Sequence, residues 1–370
     1  MKIGIVKELK DHEFRVAATP SAVEMLTHAG HEVLFERGAG LGVNMDDDMY
    51  EKSGATLVDD PRTIWEEAEM IYKVKEPVAS ERALLRKGQI VFSYLHFAAD
   101  ESLVDAFVKS GAVGIAYETI EKNGKLPLLK PMSEIGGCMA IQEGAVLLSK
   151  NGGGKGVLLQ GLPGVPPAHV VVVGGGVAGT GAIRTAVGIG ARVTVLDNNV
   201  DRLAKLADIF GSRLETLYST PLNLKKVIRE ADLVVGAVLI PGGRTPKLIT
   251  EEMVASMEEG SVIVDIAIDQ GGCVETMDHP TTHSDPTYIR HGVIHYAVAN
   301  IPGIISDAAS QALSNVTAPY ALRIANQGWK DGAKNDPEIK KGINIADGKI
   351  VYKAVADAFD YDYTPIENLI

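Results

Sequence analysis

Cysteine is scarce in this chain. Of 370 residues only two are cysteines, Cys138 and Cys273. Neither stands in a C-x-x-C pair, and two thiols build no disulfide framework, so the usage fits a reducing compartment. Long apolar runs are also missing. No stretch approaches the ~18 uninterrupted apolar residues of a membrane-spanning helix, and the opening MKIGIVKELKDHE lacks the apolar centre of a secretory signal. Positive charge is in deficit: 36 Lys and Arg face 48 Asp and Glu, a formal charge of −12. A nucleic-acid surface needs clustered Lys and Arg, so that class of partner is set aside. No internal repeat or low-complexity tract stands out. The expectation is a cytoplasmic protein with no nucleic-acid or membrane partner.

Apolar residues (46%), charged residues (23%) and 39 glycines describe an ordinary globular chain with many turns. Its length predicts two or three domains. Short β-rich runs alternate with helical ones. Strands are expected over 2–8, 31–36, 69–77, 89–97 and 111–119, with a helix over 20–30 and another near 134–150. A loop rich in Gly and Pro follows, NGGGKGVLLQGLPGVPPAH, and then a second series of strands near 170–176, 191–197, 231–239, 260–269 and 292–300. The tail reads as helices near 307–327 and 335–343. Such alternation predicts an α/β fold with mainly parallel sheets and crossover helices.

The segment HVVVVGGGVAGTGAIRTAVGIGARVTVLDNN carries Gly174-x-Gly176-x-x-Gly179 between an all-valine strand and a helix of small residues. A second strand then ends in Asp197. This is the complete dinucleotide-binding pattern. Gly174 permits the tight turn, Gly176 admits the pyrophosphate, and Gly179 lets helix and strand close up. The helix N-terminus offers amides to phosphate. Asp197 would accept bonds from both adenosine ribose hydroxyls and repel a 2′-phosphate, which favours NAD over NADP. Two other glycine clusters, ERGAGLGVN and NGGGKG, lack this context and read as loops.

Ligands of open α/β sheets bind beyond the carboxyl ends of the strands. Four polar residues fall there: Arg15, Lys75 in KVKEP, His96 ending the apolar run IVFSYLHF, and Asp269 in VIVDIAIDQGG. Each alone has an ordinary structural explanation, and a lone strand-end histidine is more often structural than catalytic. Together they suit one chemistry. Arg and Lys hold a carboxylate or polarise a carbonyl, His exchanges protons near neutral pH, and Asp orients water or an amine. With NAD, the set suggests oxidation at a carbon that bears OH or NH₂ beside a carboxylate. A metal is not expected, because His96 has no partner at ligand spacing and HPTTH (279–283) reads as a loop.

The sequence resembles the alanine dehydrogenase family, within the wider group that includes the transhydrogenase NAD-binding subunit. The likeness rests on KIGIVKELKDHEFRVAATP, KVKEP, SYLHFAAD, KPMSEIGGCMAIQEGA, the glycine-rich segment, VVGAVLIPGGRTPKLI, VDIAIDQGGCVET and YAVANIPG. It implies two Rossmann-like domains: a substrate domain discontinuous in sequence (1–128 plus 307–370) and an NAD-binding domain (129–306). The implied reaction is reversible oxidation of L-alanine to pyruvate and ammonium, with hydride passing to NAD⁺ in a closing interdomain cleft. Arg15 and Lys75 would bind substrate, His96 would be the acid–base and Asp269 would assist proton transfer. Ser133, Val177, Ala178, Asp197, Arg202, Ser219, Val238, Leu239, the run Ile266, Ala267, Ile268, Asp269 and the run Val298, Ala299, Asn300, Ile301 would contact NAD. A homohexamer is implied. The stretch ANIPGIISDAAS departs from the family, with Ile301 in place of methionine and a Pro-Arg pair missing. Rival readings are a transhydrogenase-type subunit, a dehydrogenase of another amino acid and a non-enzymatic NAD-binding regulator.

Overall fold

The structure, a computed structural model, describes residues 1–238, 245–268 and 271–370. The expectations for Leu239 and Asp269 therefore lie outside the described residues. The chain forms two compact α/β units, one of Met1–Pro131 with Gly303–Ile370 and one of Met132–Pro302.

The first unit is built on eight strands: β1 (Lys2–Ile5), β2 (Glu32–Glu36), β3 (Thr56–Val58), β4 (Met70–Tyr72), β5 (Ile90–Ser93), β6 (Val113–Ala116), and, from the tail, β14 (Ile343–Ala346) and β15 (Lys349–Ile350). Their order is β15-β14-β6-β5-β4-β1-β2-β3. From β6 to β3 every pair is parallel, while β14 runs antiparallel to β6 and β15 antiparallel to β14. The tail strands did not stand out in the sequence, because INIA follows the helix Pro337–Gly342 with no break. They cover the edge of β6, which would otherwise expose unpaired backbone groups. Ile345, Ile350 and Val355 from the tail share a core with Val6, Ile71, Val91 and Phe107.

The long helix Ser306–Asn335 ties the tail to the head of the chain. Ser310, Ser314 and Thr317 lie on one helix face and are fully or almost fully buried. Their hydroxyls are all used: Val16 N–H donates to Ser310 and Thr19 N–H to Ser314, both at 3.0 Å, and Thr317 bonds the Tyr72 hydroxyl. Thr19 also caps the helix Pro20–His28. Near its end the long helix is broken at Gly328, which takes φ 71°.

Seven strands form the second sheet: β7 (His169–Val173), β8 (Arg192–Asp197), β9 (Leu214–Tyr218), β10 (Leu233–Gly236), β11 (Val262–Asp265), β12 (Thr287–Arg290) and β13 (Val293–Tyr296). The order is β12-β13-β11-β10-β7-β8-β9, parallel except for β12 at the edge. Val170, Val171, Val172 and Val173 of β7 are all buried. A central strand covered on both faces needs this unbroken apolar run. Among the described residues no helix is long and apolar enough to cross a membrane.

Two strand limits correct the expectations from sequence. The strand expected over 69–77 stops at Tyr72, and the one expected over 89–97 stops at Ser93. His96 therefore does not end a strand. It lies three residues beyond β5, in the left-handed conformation at φ 46°, ψ 38°. The apolar run continues through the turn because Tyr94, Leu95 and Phe97 are buried there as well.

Candidate functional site

Arg15, Lys75 and His96 follow β1, β4 and β5, three neighbouring parallel strands, so they gather at one end of the first sheet. Each is held by a carboxylate. Arg15 is 2% exposed and its Nε and Nη2 donate to the two oxygens of Glu13 at 2.6 and 2.5 Å, a bidentate pair. Burial works against its charge, and Glu13 outweighs burial. The main-chain N–H groups of Val74 and Lys75 donate to Glu8 at 2.7 and 3.4 Å. Glu8 also faces the buried Lys73, whose ammonium bonds Glu81 at 2.8 Å. The backbone that presents Lys75 is thus anchored by an internal Glu8–Lys73–Glu81 triad.

Glu118, which follows β6, holds the His96 turn. Its carboxylate accepts the His96 N–H at 2.6 Å and the Leu95 N–H at 3.3 Å. A non-glycine residue at positive φ carries strain and persists only where its surroundings impose it. The His96 side chain is 44% exposed, with Nδ1 3.7 Å from Glu76 Oε2. The Tyr94 ring lies nearly parallel to it at 5.9 Å, and the Tyr94 hydroxyl donates to the Leu128 carbonyl at 2.7 Å. Burial pushes the Tyr94 phenol up, so it stays a neutral donor. A cavity of about 450 Å³ lined by Lys7–Arg15 and by Gly38, Ala39, Leu41 and Gly42 shares Arg15 and Lys10 with this cluster but is not lined by Lys75 or His96.

In the second unit, Gly174 takes φ +99°, and a Cβ there would meet the Ala237 carbonyl at 2.6 Å. A Cβ on Gly179 would lie 1.9 Å from the Gly174 carbonyl oxygen. Both positions therefore require glycine. At Gly176 a Cβ would meet nothing within 4 Å. This residue caps the helix Val177–Ile189 without a side-chain hydrogen bond, and Val177 is 40% exposed. The first-turn N–H groups of that helix have no intrahelical partner, and Gly176 and Val177 at its start are exposed, which fits a phosphate-bearing group.

Asp197, at the end of β8, is half-buried. Its two oxygens accept from Gly175 N–H at 2.7 Å and Asn199 N–H at 2.8 Å, so it stiffens the glycine turn. Arg202 Nε donates to the Gly175 carbonyl at 2.5 Å and Nη2 bonds the Thr180 hydroxyl. Ser219 follows β9, and its N–H donates to the Asp197 carbonyl at 3.0 Å. Val238 lies just past β10. Ser133 sits half-buried on the helix Lys130–Leu147. Val298, Ala299 and Asn300 follow β13, with Asn300 left-handed at φ 62°, and Ile301 is buried at the start of a 3-10 turn. Lys155 of the NGGGKG loop is bound to Asp232 and Glu258, both at 2.7 Å.

The run Ile266, Ala267, Ile268 enters a loop anchored by buried Asp265, a residue that sequence reasoning missed. Its carboxylate accepts from Ala267, Cys273 and Val274 N–H groups at 2.9, 2.7 and 3.2 Å. Burial raises its pKa, and these three donors partly counter that effect. Lys247 donates to the carbonyls of Gly271, Val274 and Met277. Glu13, Glu76 and Glu118 were missed likewise. Only Glu76 had a local signal, its place beside Lys75 in KVKEP.

The family model described as alanine dehydrogenase/PNT, N-terminal domain, matches residues 4–136, and that for the C-terminal domain matches 140–353. The chain is 54% identical to an alanine dehydrogenase of Methanococcus maripaludis over the full length of both. It is 51% identical to that of Bacillus subtilis, covering all of this chain and 98% of the relative. A solved L-alanine dehydrogenase superimposes with a TM-score of 0.94 at 48% identity, covering 97% of this chain and 99% of the other. A transhydrogenase from Sinorhizobium meliloti superimposes at 0.81 and 26% identity, covering 96% and 100%. With both family models matched in order, and relatives above 50% identity from end to end, the chain belongs to the alanine dehydrogenase/PNT family.

Proposed function

We propose that this chain is an NAD-dependent L-alanine dehydrogenase, which interconverts L-alanine with pyruvate and ammonium. The reading is carried by one combination: full-length likeness to alanine dehydrogenases, and Arg15, Lys75 and His96 together beyond three adjacent strands. The family and the Rossmann-type second unit imply a nicotinamide cofactor. When bound, that cofactor accepts hydride from the substrate Cα. The helix start at Gly176, Val177, Ala178 and Gly179 would hold its pyrophosphate and Asp197 its adenosine ribose. Arg202, Ser219, Val238, Leu239, Ser133, and the segments Ile266 to Asp269 and Val298 to Ile301 would complete the contacts.

Arg15, fixed in its plane by Glu13, binds the substrate carboxylate. Lys75 approaches the functional group on Cα. Its ammonium favours the developing negative charge on a carbonyl or carbinol oxygen. His96 removes a proton from the water that adds to the imine and returns it as the amine leaves. Asp269 positions that water. The acidic chain needs no nucleic-acid partner in this role. A cytoplasmic homohexamer active in amino-acid catabolism is the corresponding cellular picture.

The test is reduction of NAD⁺, read by absorbance, with L-alanine, with other L-amino acids, and with no amino acid. Alanine-dependent reduction that is lost in His96→Ala supports the assignment. The absence of an alanine-dependent signal refutes it. Hydride exchange between nucleotides without any amino acid would favour the transhydrogenase-type reading. Mass measurement of the native assembly tests the hexamer.

A further inference from the structure

Among the described residues, Glu76 is the acidic side chain near the site with a buried oxygen that lacks a hydrogen bond. Its Oε1 is bound by the Lys10 ammonium. Its Oε2 is buried, has no hydrogen-bond partner, and points at His96 Nδ1 from 3.7 Å. An ionised oxygen held out of water without a donor is costly, so this geometry calls for a partner. A small rotation of the half-exposed imidazole brings Nδ1–H into bonding range. The other carboxylate of this turn, Glu118, is committed to the main-chain N–H groups of Leu95 and His96. The Tyr94 ring limits the remaining freedom of the histidine from one face. Among the described residues, Lys10, Glu76, Glu118 and the neutral Tyr94 are the titratable groups that bear on this ring and its backbone.

We propose that Glu76 is a positioning residue for His96: it takes the Nδ1–H and so fixes the tautomer whose Nε2 exchanges protons with the substrate. A carboxylate behind a histidine sets which nitrogen carries the hydrogen and stabilises the imidazolium. Glu76 is suited to this, since it remains ionised. Burial would raise its pKa, but the neighbouring His96 imidazole and the Lys10 ammonium outweigh burial and hold the carboxyl far below the usual carboxylate range. Lys10 keeps the second oxygen occupied, so the carboxylate cannot swing away. The proposal rests on His96 being the acid–base of the dehydrogenase reaction.

Two measurements on the full-length protein separate this proposal from that reading. The first is the pH profile of kcat and kcat/KM for alanine in wild type, Glu76→Gln and Glu76→Asp. Glu76→Gln is expected to move the acid limb about one pH unit lower, the lower end of the range for a nearby charge because the ring is half-exposed. kcat should fall about 10-fold or more, with KM for alanine and NAD⁺ changed less than about 3-fold. Glu76→Asp should recover part of both effects. The second needs no substrate. Diethyl pyrocarbonate reacts with neutral imidazole, and mass spectrometry of the His96 peptide gives its rate against pH. The midpoint should shift downward in Glu76→Gln by the same amount. If wild type turns over alanine and neither profile moves in Glu76→Gln, the role of Glu76 is overturned. If the carbethoxylation midpoint moves while wild type does not oxidise alanine, the pair stands and the dehydrogenase reading fails. Should Glu76→Gln not fold, Lys10→Met leaves the carboxylate in place but untethered. It is expected to lower kcat and to broaden the His96 profile, and unchanged values in both would refute the arrangement.

Discussion

Asp197 does two jobs that a single substitution would confuse. Its oxygens brace the glycine turn through Gly175 N–H and Asn199 N–H, and its charge is the proposed barrier to a 2′-phosphate. Asp197→Asn removes the charge and keeps one acceptor, whereas Asp197→Ala removes both. A unit charge about 4 Å from another is worth roughly 1 kcal/mol in water and roughly 4 kcal/mol near a protein surface. For a half-buried carboxylate facing phosphate, about 2–3 kcal/mol is reasonable, or roughly 30- to 150-fold in Kd. The ratio of NADPH to NADH dissociation constants should therefore fall by that factor in Asp197→Asn, while NADH itself weakens no more than about 10-fold, a hydrogen-bond-sized loss. Asp197→Ala should weaken both coenzymes by a further ~1.5–3 kcal/mol, the value of a backbone bond to a charged acceptor. Fluorescence titration of the two reduced coenzymes on wild type and both variants at fixed ionic strength reads all six constants, and salt must be held because screening reaches this half-buried site. A Kd ratio unchanged within twofold in Asp197→Asn would refute the electrostatic reading. Identical behaviour of the two variants would refute the bracing role.

The buried triad of the first unit offers a stability test. Lys73 is 1% exposed between Glu8 and Glu81, so Lys73→Met strands two buried carboxylates and should cost about 3–5 kcal/mol in urea unfolding, with much of it regained when both glutamates become glutamine. A loss below about 1 kcal/mol would show that the triad is not needed. In the second unit, His295 is fully buried and satisfied as the neutral ring, with Nδ1 on the Val293 carbonyl and Nε2 on the Thr276 hydroxyl. Burial lowers its pKa from 6.5. The unfolded chain therefore takes up the proton first, and stability is complete above pH ~6.5 and lost as pH falls below it. Relative to His295→Gln, wild type should lose up to about 1.4 kcal/mol per pH unit from pH ~6.5 towards the folded-state pKa. Parallel denaturation curves for the two proteins would rule this out.

What the sequence alone determined was local. Gly174, Gly176, Gly179 and Asp197 fall within one strand–helix–strand unit, where spacing dictates geometry, so the turn, the open helix start and the acidic strand end could be read directly. Arg15, Lys75 and His96 could be picked out because polar residues after buried strands are conspicuous. Tertiary structure decided the rest. The pairing of β14 with β6 joins residues more than two hundred positions apart, and no short-range pattern encodes that. The buried Ser310, Ser314 and Thr317 look like a solvated helix face until Val16, Thr19 and Tyr72 arrive to bond them. His96 read as the end of a strand because an apolar run does not distinguish a strand from a buried turn. Its left-handed backbone is imposed by Glu118, and its ring faces a carboxylate tethered by Lys10. The identity of a proton-transfer group is written in one residue. Its orientation depends on charges that only the folded chain brings within reach.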